Sequence, residues 1–170
     1  RCEAEEGLRA SADADLLRQA LSNLLDNAIK YGPPGQTITL AAERAGGQVL
    51  LRVEDRGPGI PVHERERVWE RFFRLDRDRG AAQAGSGLGL AVVRDIVTLH
   101  GGTVAIGEGP CGGASFVLGI PAAEPASGRG SSWSRTTRTW PTDCARTSRS
   151  RGTWWRRLPT VPRRWRARAR

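Results

Sequence analysis

The stretch Gly85-Ser86-Gly87-Leu88-Gly89-Leu90 places three glycines at alternate positions and continues directly into the apolar segment 91–97. Glycines at this spacing let the backbone pass close to a ligand in conformations that side chains disfavour. The apolar residues recur at helical spacing, as Leu88, Val92, Val93, Ile96 and Val97. A glycine-rich turn that opens a helix presents free N–H groups to an anion. The stretch therefore predicts a phosphate-binding turn, although a purely structural turn has the same pattern.

The charge of the chain divides it into two parts. Residues 124–170 contain thirteen arginines against two acidic residues, Glu124 and Asp143, whereas residues 1–123 have a net charge of −2. The tail also loses all apolar periodicity, so it cannot bury enough apolar surface to fold alone. We predict one domain at 1–123, followed by a disordered tail at 124–170 that is rich in Arg, Ser, Thr and Trp.

The tail leaves several interpretations open. Its composition fits translation beyond a frameshift or a tail without function, a solubilising or docking segment, or a segment that binds nucleic acid or an anionic membrane surface. We favour the first interpretation and expect no specific nucleic-acid partner. Deleting residues 124–170 is then expected to leave the ligand affinity of the domain unchanged.

Three widely separated cysteines and two histidines give neither a disulfide framework nor a zinc site. No apolar run approaches the length of a membrane span, and no signal peptide is apparent. We therefore expect a cytoplasmic location and no membrane span.

An amphipathic helix is predicted at 14–30, capped by Asp13 or Asp15 and ended by the run 32–35. Its apolar stripe consists of Leu17, Leu21, Leu24, Leu25 and Ala28. Beside this stripe, Asn23, Asn27 and Lys30 share one helical face. These polar residues form either a hydrogen-bonded edge of the core or a phosphate and metal site with amide oxygens as hard ligands.

Two hairpins are predicted from alternating apolar residues, one at 37–43 and 49–55 and one at 103–107 and 114–120. The period of two places Asp55 on the buried face of its strand. A carboxylate there needs a hydrogen-bonded partner. Asp55 is therefore interpreted either as a turn-capping residue or as a ligand donor.

The remaining segments between the hairpins are less regular. Residues 62–74 are predicted to form a short charged helix, and residues 75–84 a mobile loop that could serve as a lid. His100, before two glycines, is interpreted as the end of the second helix rather than as a catalytic residue.

Four motifs in order resemble the ATP-binding catalytic domain of two-component sensor histidine kinases, in the superfamily that includes gyrase, the large heat-shock chaperones and mismatch-repair ATPases. The matching stretches are an N box at 21–31, a G1 box at 55–61, an F box at 70–74 and a G2 box at 85–90. The resemblance implies an α+β fold, a two-layer α/β sandwich in which a mixed, mostly antiparallel sheet is covered on one face by three helices. It covers nearly all of residues 12–121.

The resemblance also implies roles for residues at the base and metal ends of an ATP site. Asp55 would accept the adenine amino group, and Gly57 and Gly59, with Ile60, would border the base. Asn27 would bind Mg²⁺ through its amide oxygen. The residues near the phosphates and ribose would be Asn23, Lys30 and Tyr31.

The lid and the glycine-rich stretch would cover the triphosphate. Arg74 and the 75–86 segment would close over it, and helix N–H groups at Gly87 and Gly89 would contact it. The whole implied G2 stretch is Gly85, Ser86, Gly87, Leu88, Gly89 and Leu90.

The implied reaction is transfer of the ATP γ-phosphoryl to a histidine. Hydrolysing relatives place a glutamate base at the position of Asn23, and an asparagine cannot take a proton. Slow or absent ATP hydrolysis is therefore expected. No phosphoacceptor histidine is identified in the chain, because His63-Glu64 lies just after the G1 box, where a surface residue is ordinary. The sequence is therefore either a truncated part of a sensor kinase, or it acts in trans on a histidine of a separate dimerisation and phosphoacceptor protein. In the trans case a response regulator would act after that protein.

Two alternative functions stay open. An anti-sigma-type serine kinase shares the nucleotide fold but usually lacks a clear F box. A non-catalytic nucleotide-binding or docking module with a basic tail would instead show salt-dependent binding to DNA.

Overall fold

The computed structural model describes residues 1–75 and 86–123. Their strands form one five-stranded sheet in the order β1-β2-β3-β5-β4. β1 and β2 are parallel and the other pairs are antiparallel. The strands are β1 (Cys2–Ala4), β2 (Thr39–Ala45), β3 (Gln48–Glu54), β4 (Thr103–Glu108) and β5 (Ala114–Pro121), and the α-helices are α1 (Ala14–Tyr31) and α2 (Gly89–Leu99).

The first helix begins where its cap satisfies the free N–H groups of the first turn. Asp13 Oδ1 accepts hydrogen bonds from the N–H groups of Asp15 and Leu16 at 2.9 and 3.0 Å. The helix ends at Tyr31, and the N–H of the next residue, Gly32, bonds to the carbonyl of Ala28. The predicted helix at 14–30 is confirmed, with Asp13 as the cap and one further residue at the end.

The two α-helices pack against each other in opposite directions. The amide of Asn23 donates to the carbonyl of Gly89 at the start of α2, and the N–H of Asp13 donates to His100 Nε2 at its end. Nδ1 of His100 lies 2.7 Å from the carbonyl oxygen of Ile96. Gly101 follows with a φ of +66°. The interpretation of His100 as a structural helix end is therefore confirmed.

The core lies between the helices and one face of the sheet. Alternate residues of the central strands point into it, namely Val49, Leu51 and Val53 from β3 and Phe116, Leu118 and Ile120 from β5. Trp69 packs edge-to-face on Phe116, with ring centroids 6.1 Å apart. Both predicted hairpins and the two-layer α+β sandwich are confirmed.

The prediction of one continuous α-helix at 62–74 is wrong. The segment instead contains two short 3₁₀ turns, Val62–Glu64 and Arg67–Trp69. Glu70 is extended and Phe72 has a φ of +65°, so the chain leaves helical geometry after Trp69. The tight turn still buries Val68 and Trp69, so it supplies the third helical segment of the layer on the sheet.

Other expectations fall on parts of the chain outside the described residues. These are Gly85, residues 76–84 of the predicted lid and the tail 124–170. Within residues 1–75 and 86–123, no helix combines the length and apolar character that a membrane span needs.

Candidate functional site

A cavity of about 360 Å³ lies where the second half of α1, the loop after β3 and the start of α2 meet. Twelve of the fifteen predicted site residues line it: Asn23, Asn27, Lys30, Tyr31, Asp55, Gly59, Ile60, Arg74, Ser86, Gly87, Gly89 and Leu90. Gly57 and Leu88 are beside the cavity in sequence but are not among its lining residues. The sequence motifs, separated by up to 67 positions, therefore meet at one concave site.

Asp55 forms the buried polar end of the cavity. Its side chain is only 7% exposed, and Oδ1 accepts hydrogen bonds from the N–H groups of Gly57 at 2.8 Å and Ala114 at 3.1 Å. Within the described part of the chain, no hydrogen bond reaches Oδ2. One oxygen of Asp55 thus caps the turn, and Oδ2 is available to a ligand that donates a hydrogen bond.

The polar face of α1 forms another part of the cavity lining. Asn23, Asn27 and Lys30 all line it, as the helical spacing predicts. The amide of Asn23 also donates to the carbonyl of Gly89 at 3.3 Å. This contact fixes the start of α2, with its free N–H groups, beside the α1 face.

Lys30 and Tyr31, in the last turn of α1, also line the cavity. The Lys30 ammonium lies 4.9 Å from the centroid of the Tyr31 ring. A cationic side chain, amide oxygens and a helix N-terminus together suit an anionic ligand with a bound hard cation.

Two glycines of the site are required by packing within the chain. Gly87 has a φ of +73°, and a Cβ there would lie 2.9 Å from Cα of Phe72. Gly59 has a φ of +63°, and its Cβ would collide with the carbonyl oxygen of Gly112. The sequence interpretation attributed both glycines to close approach of a ligand, whereas the structure gives them contacts with neighbouring backbone.

The cavity also has lining residues that the sequence interpretation missed, namely Asp26, Pro58, Val68, Phe73, Leu75, Ala114 and Phe116. Asp26 could have been predicted as a lining residue from the sequence, because it lies four residues before Lys30 and therefore on the same side of the helix. Ala114 and Phe116 carry no local signal. They reach the cavity because β5 pairs with β3 in a register that places Phe116 opposite Val53.

The donor set of the site fits Mg²⁺ held together with an anionic ligand. The described residues contain no group of three or more His, Cys, Asp or Glu side chains that could hold a metal alone. The cavity does offer the amide oxygen of Asn27 and the carboxylate of Asp26. Mg²⁺ commonly uses one or two protein oxygens and completes its shell with phosphate oxygens and water.

Residues 12–124 match the family described as histidine kinase-, DNA gyrase B-, and HSP90-like ATPase. The chain belongs to this family. It is homologous to the ATP-binding domains of sensor histidine kinases within it. The sensor-like histidine kinase SenX3 of Mycobacterium tuberculosis is 43% identical over 122 residues, which cover 72% of this chain and 30% of SenX3. The sensor protein IrlS of Burkholderia pseudomallei is 44% identical over 111 residues, covering 65% of this chain and 24% of IrlS.

Solved members of this ATPase family have the same fold. The mycobacterial sensor histidine kinase MprB is 33% identical with a TM-score of 0.59, covering 72% of this chain and 81% of the MprB chain. The catalytic domain of histidine kinase ThkA is 31% identical with a TM-score of 0.61, covering 71% and 78%. The chain spans less than a third of the length of SenX3 and IrlS, so it corresponds to their ATP-binding part.

Proposed function

We propose that this domain binds ATP with Mg²⁺ and transfers the γ-phosphoryl group to a histidine on a separate dimerisation and phosphoacceptor chain, from which it passes to an aspartate of a response regulator. The observation that carries this proposal is the cavity itself. Its lining combines a buried carboxylate with amide, ammonium and helix N-terminal groups. That polarity matches a ligand with a base at one end and a polyphosphate at the other.

Each end of the cavity has a defined task in this proposal. Asp55 Oδ2 accepts the adenine amino group, while Oδ1 stays held by its two N–H donors. Lys30, Arg74 and the N–H groups at the start of α2 bind phosphate oxygens. Asn27 and Asp26 would hold Mg²⁺, which when bound neutralises charge that builds up on the phosphates.

The proposed transfer exchanges one bond at the γ-phosphorus for another. A nitrogen of the acceptor imidazole forms the new N–P bond, the bond from phosphorus to the β–γ bridging oxygen breaks, and ADP leaves with that electron pair. The domain's own side chains position the phosphates and do not enter the covalent chemistry.

The environment of Asn23 supports a kinase rather than a hydrolase. Its amide N–H₂ donates to the carbonyl of Gly89, so the side chain connects α1 and α2 through a hydrogen bond. An amide has no basic site with which to deprotonate water. Transfer to a positioned acceptor is therefore favoured over hydrolysis.

The surroundings of both histidines support an acceptor other than His63 or His100. Each ring nitrogen of His100 lies within hydrogen-bond distance of a backbone group, at 2.9 Å from the Asp13 nitrogen and 2.7 Å from the Ile96 oxygen. His63 is exposed in the turn Val62–Glu64 and is not among the residues that line the cavity.

A labelling experiment tests the proposal. The chain is incubated with γ-labelled ATP and Mg²⁺, alone and with a candidate dimerisation and phosphoacceptor protein. We expect acid-labile label on the added protein only, and no transfer by an Asn27→Ala variant. Label on this chain in the absence of the partner would refute transfer in trans. Acid-stable label on a serine of the partner would instead identify a serine kinase of the anti-sigma type.

A further inference from the structure

Gln36 is not among the residues that line the cavity, but it joins two segments that carry lining residues. Gln36 Nε2 donates a hydrogen bond to the carbonyl oxygen of Ala28 at 2.5 Å, and Gln36 Oε1 accepts one from the backbone N–H of Arg56 at 2.8 Å. Ala28 belongs to the last turns of α1, and Arg56 follows Asp55 in the loop after β3. One side chain therefore bridges the helix that carries Asn27 and the loop that carries the base-binding carboxylate.

The local backbone is shaped to hold Gln36 in this bridge. Its N–H bonds to the carbonyl of Pro33 at 3.2 Å, and Gly35 adopts a φ of +74°, so residues 33–36 form a tight turn. Gly32 lies directly under the side chain. A Cβ at Gly32 would collide with Gln36 Nε2 and Cδ.

The bridge reinforces a direct contact between the same two segments. A Cβ at Gly57 would lie 3.1 Å from the carbonyl oxygen of Tyr31, so the loop after β3 is packed against the end of α1. Gln36 adds two hydrogen bonds between the same two segments. The bond to Ala28 is partly buried and therefore carries more weight than the exposed bond from Arg56.

We propose that Gln36 is a positioning residue that sets the distance between the adenine end and the phosphate and metal end of the site. This inference rests on the proposed function, because it presumes that one nucleotide spans both ends. A ligand that contacts both ends gains affinity when their separation is fixed in advance. The affinity of a ligand that contacts only one end depends little on this separation.

The test compares two ligands in the full chain. Affinities for ATP with Mg²⁺ and for adenosine are measured by calorimetry for the wild type, Gln36→Ala and the matched control Gln19→Ala, whose side chain is exposed on α1. We expect Gln36→Ala to weaken ATP binding about 3- to 10-fold and adenosine binding by less than about twofold. Gln19→Ala should change neither.

Gly32→Ala is a second way to remove the Gln36 hydrogen bonds, and it leaves the residue at position 36 unchanged. Its Cβ displaces the Gln36 side chain, so it should weaken ATP binding by a similar factor. The double variant should lose no more than either single variant, because both remove one bridge.

The outcomes separate the two proposals. Equal weakening of ATP and adenosine binding by Gln36→Ala, or no weakening of either, would overturn the positioning role. A wild-type chain that binds no ATP would instead overturn the proposed function. Thermal unfolding of each variant shows whether the domain is folded during the measurements.

Discussion

The backbone N–H of Phe72 donates a hydrogen bond to the carbonyl oxygen of Gly87, with an N–O distance of 2.9 Å. This bond joins the middle of the F box to the glycine-rich stretch that opens α2. Phe72 has a φ of +65° and Gly87 a φ of +73°, so both residues use left-handed backbone to make the contact. The glycine-rich start of α2 is thereby anchored next to Arg74, which lines the cavity.

We predict that Gly87→Ala weakens both the fold and the nucleotide site. The new Cβ would stand 2.9 Å from Phe72 Cα in a backbone conformation that alanine disfavours, which costs about 1–3 kcal/mol. The melting temperature should fall, and ATP affinity should drop about tenfold or more as the start of α2 moves. Gly89→Ala is the stability control, since its Cβ meets no atom within 4 Å. Equal melting temperatures for the two variants would contradict the prediction.

The elements that the sequence predicts well are those with a local signal. The stripe Leu17–Leu21–Leu24 and the cap at Asp13 lie within α1 itself, and the alternation up to Asp55 lies within β3. Period alone was therefore enough to place the buried carboxylate and the polar face of α1.

The elements that were missed depend on contacts distant in sequence. Ala114 reaches Asp55 only through the pairing of β5 with β3, which no local pattern encodes. Gln36 is an ordinary polar loop residue until the fold brings Ala28 and Arg56 to either side of it. The segment 62–74 has helical composition, but its left-handed Phe72 and the burial of Trp69 against Phe116 are tertiary effects that override propensity.

Asp55→Asn is expected to change the preferred base. The amide oxygen can still accept from Gly57 and Ala114, so the fold should persist, but the amide nitrogen in place of Oδ2 now donates. ATP affinity should fall about 10-fold or more, because the adenine amino group would face another donor. Relative affinity for GTP, whose base presents a carbonyl oxygen, should rise. Competition binding with ATP and GTP measures the ratio, and an unchanged ratio would argue against the assigned contact.

The cap of α1 should make stability depend on pH in the acid range. The N–H groups of Leu16 and Asp15 hold the pKa of Asp13 below its ordinary value of 3.8. A lowered pKa in the folded state means that the ionised cap stabilises the fold above pH 3.8, and this contribution is lost as the pH falls through the folded-state pKa. Asp13→Asn keeps a capping oxygen but should lose this part of the pH dependence. Melting temperatures between neutral pH and pH 3 test the difference, and parallel curves for both proteins would contradict it.

Removal of residues 124–170 should leave ATP affinity unchanged. The chain remains paired with the domain up to residue 123, because the N–H of Ala122 bonds to Gly47 and that of Ala123 to Arg9, at 2.9 and 2.8 Å. All described lining residues of the cavity precede residue 117. Calorimetry on the 1–123 chain provides the comparison. A loss of more than about twofold would assign the tail a part in nucleotide binding, and salt-dependent DNA binding lost with the tail would assign it a different ligand.

Asn27→Ala should remove the effect of Mg²⁺ while leaving the base end intact. In the proposed site the Asn27 amide oxygen is a hard ligand to Mg²⁺, so its loss should lower ATP affinity to the value found without Mg²⁺, about tenfold or more. Adenosine affinity should not change, because in the proposed site the base contacts Asp55 and not Asn27. Ser22→Ala, exposed on the same helix, is the matched control. Titrations with and without Mg²⁺ measure both effects. If Mg²⁺ still raises the ATP affinity of Asn27→Ala, the metal is bound elsewhere. If the variant keeps a brisk ATPase rate, the assignment as a kinase without a water-activating base is contradicted.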